Sequence, residues 1–204
     1  MLRFGPAGYP QGSKNPKDGL DKTKALGLDA LEVEFVRGAR ISEDKALEVG
    51  RMAKDRDIRL SCHAPYFISF NSENQETRDK SINWVMDTVR AAHNMGAYLI
   101  VIHAASYGKS PGTATQSVID GLSRCKDIMD DEGIDDVILG IETMGKKGQW
   151  GTLKEIEEVM DSVQGTHPVL DVAHVHARDI GWLRTEDDMR SLTEDFFKLS
   201  GDIA

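Results

Sequence analysis

The sequence has few cysteines, few aromatic residues and no long apolar run. Its two cysteines, Cys62 and Cys125, follow no spacing motif, which excludes a disulfide-stapled fold and favours a reducing compartment. No segment approaches the roughly 18 consecutive apolar residues that a membrane span needs. The opening MLRFGPAGYP lacks the basic and apolar regions of a signal peptide. We therefore expect a cytoplasmic protein with no membrane contact.

Basic residues are also in deficit, with 25 Lys and Arg against 34 Asp and Glu and a net charge of −9. This balance counts against a protein that coats nucleic acid through an overall positive charge. Most of the acidic side chains lie in segments with a helical pattern, such as 43–57 and 130–136, where a solvated helix face explains them. A carboxylate-rich metal site would account for some of the other acidic side chains.

Short apolar runs alternate with amphipathic stretches along the chain. The runs predict six strands, near 2–4, 30–35, 58–62, 98–102, 137–141 and 167–170. The stretches between and after them predict helices near 16–26, 42–56, 74–95, 113–132, 152–162 and 185–199. Apolar strands without polar alternation are buried on both faces, so the pattern predicts an α/β protein whose parallel sheet is doubly wound or a TIM-type (β/α) barrel.

Chain length separates a complete barrel from a partial one. A barrel has eight βα units and typically about 250 residues. A sequence of 204 residues has room for about six of the eight. We expect one domain over residues 1–204 that lacks the last two βα units.

Four of the predicted strands are followed by side chains that can bind a metal. The first three residues are His63, His103 and Glu142, and the fourth is Asp171, with His174 three positions later. A single histidine after a strand is more often a hydrogen-bonded core residue than a ligand. In a closed parallel sheet, however, all these strand ends share the rim where barrel enzymes have their active sites. Four such ends in succession therefore predict a metal centre.

Imidazole and carboxylate groups together suit Zn²⁺ or Mn²⁺, and a carboxylate such as Glu142 can bridge two ions. Two ions about 3.5–4 Å apart can generate hydroxide near neutral pH and stabilise the attacking and leaving oxygens of a phosphodiester. The residue types therefore point to a metal-dependent hydrolase, with Glu142 as the central catalytic residue.

Four segments resemble motifs of the endonuclease IV type of AP endonuclease, within the xylose-isomerase-like TIM barrels. They are HAPYFISF at 63–70, VIHAASYG at 101–108, LGIETMGKKGQWGT at 139–152 and LDVAHVHAR at 170–178. The resemblance implies a barrel in which one zinc is bound by His63 and His103 and is bridged by Glu142 to a second. It also implies that Asp171 binds the second zinc and His174 a third.

The same resemblance implies two or three Zn²⁺ ions in a complete chain, with Mn²⁺ possible. The family takes further ligands from the seventh and eighth strands, beyond the end of this sequence. The implied activity is hydrolysis of the phosphodiester 5′ to abasic sites in double-stranded DNA, as in base excision repair, by a protein that is a monomer when full length.

DNA contacts are expected in the loops at the same rim. By resemblance, Tyr66 belongs to a loop that enters the DNA helix near the base-less nucleotide, where stacking on an aromatic ring can contribute about 1–3 kcal/mol per base. Arg37, Lys109, Lys146 and Lys147 follow predicted strands and offer positive charge to phosphates despite the acidic total.

Two other functions remain open. A sugar isomerase or epimerase of the xylose-isomerase-like superfamily would use Mn²⁺, but its sites are normally richer in carboxylates than in histidines. The histidines His63, His103 and His174 therefore favour the nuclease. The other alternative is a catalytically incomplete member of the endonuclease IV family that keeps the scaffold and one metal.

Overall fold

The computed structural model describes residues 2–201, so Met1 and residues 202–204 of the predicted domain lie outside the described residues. The strands are Ala30–Glu34 (β1), Arg59–His63 (β2), Leu99–Ile102 (β3), Ile138–Glu142 (β4) and Thr166–Val169 (β5). The helices are Pro16–Ala25 (α1), Glu43–Asp55 (α2), Gln75–Met95 (α3), Ala114–Glu132 (α4), Leu153–Ser162 (α5), Val172–Arg178 (α6) and Glu186–Ser200 (α7). A short 3₁₀ turn covers Pro111–Thr113. No helix within residues 2–201 combines the length and apolar character needed to cross a membrane.

The five strands form one sheet in the order β1-β2-β3-β4-β5, so neighbours along the chain are neighbours in the sheet. The pairs β1–β2, β2–β3 and β4–β5 are parallel. Parallel neighbours need a crossover between them, and helices α2, α3 and α5 provide these connections. The parallel α/β arrangement predicted from the sequence is therefore present.

The predicted first strand at 2–4 is wrong. The chain near Phe4 and Pro6 does run beside β1, because Asp29 and Ala30 both donate their N–H groups to the Phe4 carbonyl at 3.0 Å. Further along, only an isolated parallel bridge joins Ala7 to Glu32. Pro6 has no N–H to donate, so a regular ladder cannot continue through it. This segment accompanies the sheet without becoming a strand.

Helix α6 was not predicted. It has seven residues, too few for a clear helical period, and it begins directly after β5 and Asp171. The Asp171 side chain caps it by accepting a hydrogen bond of 2.8 Å from the His174 N–H. Asp171 was predicted only as a metal ligand, although aspartate is also a common N-cap residue.

The described chain divides into two compact units, and each is described by itself. Unit 1 comprises residues 2–66, 83–101 and 127–138, and unit 2 comprises 67–82, 102–126 and 139–201. Fully buried side chains of unit 1 include Leu20, Cys62, Val85, Val89 and Ile100. Those of unit 2 include Ile102, Leu122, Cys125, Leu139, Ile141, Trp150 and Ile156. Both cysteines are thus buried thiols, and the single-domain organisation stays a prediction.

Candidate metal centre

Glu142 is the last residue of β4 and is 7% exposed. Its two carboxylate oxygens face two different imidazoles of unit 2. Oε2 makes a short hydrogen-bonding contact with Nε2 of His103, the residue after β3. Oε1 lies 3.5 Å from Nδ1 of His174. A buried carboxylate whose oxygens diverge towards separate ligand groups has the arrangement of a bridging residue.

Asp171 and His174 reach the same place through the first turn of α6. The N-cap hydrogen bond uses Oδ1 of Asp171, while Oδ2 lies 3.5 Å from Nδ1 of His174. Ligand atoms of Glu142, Asp171 and His174 all lie within 4.8 Å of one another. The spacing of three residues is therefore set by the helix start, which turns both side chains towards Glu142.

Thr143 supports both residues from the position after Glu142 and is 1% exposed. Its Oγ1 accepts a hydrogen bond of 3.0 Å from the Asp171 N–H, and its carbonyl oxygen lies 2.9 Å from Nδ1 of His174. When a ring nitrogen donates to a backbone carbonyl, the other nitrogen keeps its lone pair for a metal. Sequence reasoning missed Thr143, and its only signal was a polar residue directly after the strand-end glutamate.

The distances can be compared with those that zinc requires. Two ligands on a tetrahedral zinc with bonds of about 2.1 Å are separated by about 3.4 Å. The potential ligand atoms of Glu142, Asp171 and His174 lie within 4.8 Å of one another, so small side-chain movements would bring them to such separations. The donor set of carboxylate oxygens and imidazole nitrogens also suits zinc or manganese. These residues therefore fit a divalent metal.

His63 ends β2 in unit 1 and is 7% exposed. Its Nδ1 lies 2.7 Å from the Ala64 carbonyl oxygen, and its ring centroid lies 4.8 Å from that of Tyr66. The carbonyl contact leaves Nε2 as the metal-binding nitrogen if Nδ1 carries the proton. The prediction that His63 shares a zinc with His103 stays a prediction.

The residues predicted to contact DNA are all exposed in loops that follow strands. Lys109 lies in the loop after β3, and Lys146 and Lys147 lie in the loop after β4. An isolated antiparallel bridge between Ser106 and Gln149 joins these two loops within unit 2. Lys109 also lies 3.7 Å from a carboxylate oxygen of Glu73, which balances part of its charge.

The other two predicted DNA contacts, Arg37 and Tyr66, belong to unit 1. Arg37 follows β1 and is exposed, and Tyr66 is 47% exposed. An exposed aromatic ring after a strand end has the accessibility that stacking requires. DNA contact by any of these residues stays a prediction.

Sequence reasoning also missed a polar network that borders the site. Arg178, the last residue of α6, donates 2.8 Å hydrogen bonds from Nη1 to the carbonyls of Lys146 and Gln149. Its Nη2 donates to the Tyr107 hydroxyl at 3.1 Å, and that hydroxyl donates to Glu155 at 2.7 Å. Tyr107 and Arg178 stand inside the sequence motifs at 101–108 and 170–178, but no spacing rule identifies them as partners.

Glu155 anchors this network at the start of α5. It forms a capping box with Thr152, and it also accepts a hydrogen bond from the Gly151 N–H at 3.1 Å. Burial alone would raise the pKa of Glu155, but hydrogen bonds from Tyr107, Thr152 and Gly151 outweigh it and lower that pKa. Burial and the adjacent Glu155 carboxylate raise the pKa of Tyr107. The ionised Glu155 carboxylate therefore accepts a hydrogen bond from the neutral Tyr107 hydroxyl.

Comparison with known proteins supplies the family. The profile of the Xylose isomerase-like TIM barrel family matches residues 20–199. The chain belongs to that family. An uncharacterized protein of Methanocaldococcus jannaschii is 30% identical over 195 residues, which cover 95% of this chain and 70% of that protein. The protein named Probable endonuclease 4 in Mesoplasma florum is 28% identical over 170 residues, which cover 75% of this chain but only 56% of that protein.

Solved structures with a similar fold carry more than one activity. Endonuclease IV from Thermus thermophilus matches with a TM-score of 0.75 and 20% identity, over 98% of this chain and 72% of that one. The 3-keto-D-glucoside 4-epimerase of E. coli matches with a TM-score of 0.74 and 16% identity, over 98% and 77%. The predicted TIM-type fold and the resemblance to the endonuclease IV type are confirmed, with five strands among residues 2–201 in place of the six expected.

Proposed function

We propose that this protein is a zinc-dependent AP endonuclease that hydrolyses the DNA phosphodiester 5′ to abasic sites in base excision repair. The observation that carries the proposal is the position of Glu142 between His103 and the Asp171–His174 pair. Relatives named Probable endonuclease 4 support the choice of substrate class. The Glu142 arrangement supplies a bridging carboxylate, which two neighbouring metal ions need.

In this proposal the metal ligands are His63, His103, Glu142, Asp171 and His174, with Mn²⁺ as a possible substitute for Zn²⁺. Zinc, when bound, supplies Lewis-acid stabilisation of phosphate charge and lowers the pKa of water. Glu142 orients the site through its two oxygens and, when ionised, adds negative charge that favours cations. Thr143 holds Asp171 and His174 in place through its hydroxyl and carbonyl groups.

The exposed loop residues bind the DNA. Lys109, Lys146, Lys147 and Arg37 contact phosphates, and Tyr66 stacks near the base-less nucleotide, where an aromatic face replaces the missing base. Such phosphate contacts position the duplex but do not read its sequence, so the site selects a lesion and tolerates different flanking bases. We further propose a cytoplasmic protein that is a monomer at full length.

The direct test is incision of a duplex oligonucleotide that contains a tetrahydrofuran abasic analogue. The zinc-loaded chain is expected to cut on the 5′ side of the analogue and to leave an undamaged duplex of the same sequence intact. Glu142→Gln keeps the side-chain shape and removes the charge, so it serves as the inactive control. Incision no faster than that of the Glu142→Gln variant would refute the nuclease.

A sugar isomerase or epimerase is the second candidate, and one observation favours it. The cluster of Glu142, Asp171 and His174 has two carboxylates for one imidazole, an oxygen-rich set that Mn²⁺ accepts. Metal analysis separates the candidates, since the nuclease requires two or three zinc ions in a complete chain and the isomerase one exchangeable manganese. A chain that binds one ion and no DNA would instead be a catalytically incomplete member of the endonuclease IV family.

A further inference from the structure

The loop between β4 and α5, residues 143–152, has a composition that does not hold one conformation by itself. Glycines occupy positions 145, 148 and 151, and glycine has the greatest backbone freedom to lose. The loop is nevertheless tied by several hydrogen bonds. The Met144 N–H donates to the Gly151 carbonyl at 2.9 Å, and the Tyr107 N–H donates to the Gly148 carbonyl at 3.0 Å.

Arg178 contributes the most concentrated of these ties. One guanidinium nitrogen, Nη1, reaches the carbonyls of Lys146 and Gln149 at 2.8 Å and that of Met144 at 3.3 Å. The other, Nη2, is held by the Tyr107 hydroxyl, which Glu155 holds in turn. A planar guanidinium can donate in several directions at once, whereas a lysine ammonium has no comparable fork.

This set of hydrogen bonds from Arg178 to the loop, the Arg178 clamp, connects the loop to the metal centre. Arg178 stands four residues after His174, one helical turn along α6, so the two side chains lie on the same side of that helix. The tip of the loop carries Lys146 and Lys147, and both are exposed. Because Arg178 binds the carbonyl of Lys146 itself, it fixes the backbone from which that lysine extends.

We infer that Arg178 is a positioning residue that holds Lys146 and Lys147 at a fixed place beside the metal centre, where they bind a phosphate of the substrate. Arg178 acts on the substrate through the loop, and its guanidinium is occupied by backbone carbonyls. The identity of the phosphate as part of DNA rests on the proposed function. The clamp itself does not.

The first measurement needs no substrate. Hydrogen exchange followed by mass spectrometry on the full chain compares the wild type with Arg178→Gln. We expect amides of residues 145–149 to exchange about tenfold faster or more in the variant, with the protection of β4 unchanged. Arg190→Gln is the matched control, because Arg190 is exposed on α7 and pairs only with Glu186 at 3.0 Å among the partners described. Unchanged exchange in the loop would overturn the clamp.

The second measurement is binding to abasic duplex over a range of salt concentrations. Each phosphate contact contributes about 0.9 to the slope of log K against log salt, so Lys146→Ala with Lys147→Ala should reduce the slope by up to about 1.8. Arg178→Gln is expected to cause a reduction of similar size, and adding it to the lysine double variant should cause little more. Arg178→Lys should not restore the slope.

Additive losses, or full rescue by Arg178→Lys, would show that Arg178 acts through its own charge and would overturn the positioning role. If the wild type binds no DNA, the proposed nuclease function fails, and hydrogen exchange alone decides whether Arg178 holds the loop. Arg190→Gln again provides the control for loss of one positive charge.

Discussion

Nδ1 of His174 lies 3.5 Å from Oε1 of Glu142, although one side chain belongs to the first turn of α6 and the other to the end of β4. The same Nδ1 lies 2.9 Å from the Thr143 carbonyl oxygen, so the ring donates there and keeps Nε2 for a metal ion beside the Glu142 carboxylate. We therefore expect zinc binding to depend on Glu142.

Glu142→Gln is expected to weaken zinc binding by more than the roughly 10–100-fold that loss of a residue supporting a ligand costs, because it removes a ligand charge. Isothermal titration with zinc measures the change. Glu157→Gln removes the same charge from an exposed position on α5 and should leave the affinity unaltered. Equal zinc affinities for the wild type and Glu142→Gln would exclude Glu142 from the metal site.

Thr143→Val tests whether Thr143 holds Asp171 and His174 in position. The substitution keeps the side-chain shape and leaves the Asp171 N–H without its acceptor, so we expect a loss of about 1–3 kcal/mol in the free energy of unfolding. Zinc affinity should fall by about 10–100-fold, as for other residues that orient metal ligands. Thr143→Ser keeps the hydroxyl and should restore most of both, as denaturant unfolding and zinc titration would show. A fully stable Thr143→Val variant would contradict the role.

Two glycines of the same loop provide a matched pair. A Cβ on Gly145 would lie 3.1 Å from Cδ2 of His174, whereas a Cβ on Gly148 would meet nothing within 4 Å. Gly145→Ala should therefore displace His174 and weaken zinc binding, and Gly148→Ala should not. Overpacking of this kind costs about 1–3 kcal/mol where the neighbour cannot move. Similar zinc affinities for the two variants would contradict this packing.

Glu155 predicts a dependence of stability on pH. Its pKa in the folded protein lies below the ordinary value of 4.5, so folding favours the ionised form. The stabilisation is complete above that ordinary value and is lost as the pH falls through the folded-state pKa. Near neutral pH, Glu155→Gln should lower the free energy of unfolding by about 1 kcal/mol, because charge-assisted hydrogen bonds become neutral ones.

The difference between wild type and Glu155→Gln should shrink as the pH falls through the folded-state pKa of Glu155, since the carboxyl group is protonated below that pKa. Urea denaturation at a series of pH values measures it. Glu157, exposed on the same helix, offers Glu157→Gln as a control whose curve should follow that of the wild type. A difference that grows on acidification would contradict the lowered pKa of Glu155.

Much of the fold was accessible from local patterns. The bounds of α5 follow from Thr152 and Glu155, a pair that satisfies the helix start by itself. Gly27 and Gly96 follow α1 and α3 in the left-handed conformation, with φ of 75° and 65°, as expected for residues that end helices. The strand predicted at 2–4 is wrong because Pro6 cannot donate to a regular ladder, whatever the apolar pattern of the segment. Helix α6 was missed because its start depends on the Asp171 cap, which an apolar pattern does not mark.

Only part of the candidate site could be predicted from the sequence. Strand ends indicated Glu142 and His103, since the position of a residue relative to a strand can be read from hydrophobic runs. Thr143, Tyr107 and Arg178 could not be identified in this way. Their roles depend on hydrogen bonds to atoms far along the chain, chiefly backbone carbonyls that every residue possesses and no sequence pattern marks.

The amino-acid sequence by itself determined the alternation of strands and helices, the strand ends that carry the candidate ligands and the chemical type of those ligands, because these depend on local periodicity and on side-chain identity. Only the tertiary structure decided that Glu142 presents one oxygen to His103 and the other to His174, and that Arg178 holds the loop beside them. Those relationships depend on side-chain direction and on distances across the fold, which packing sets and local sequence does not encode.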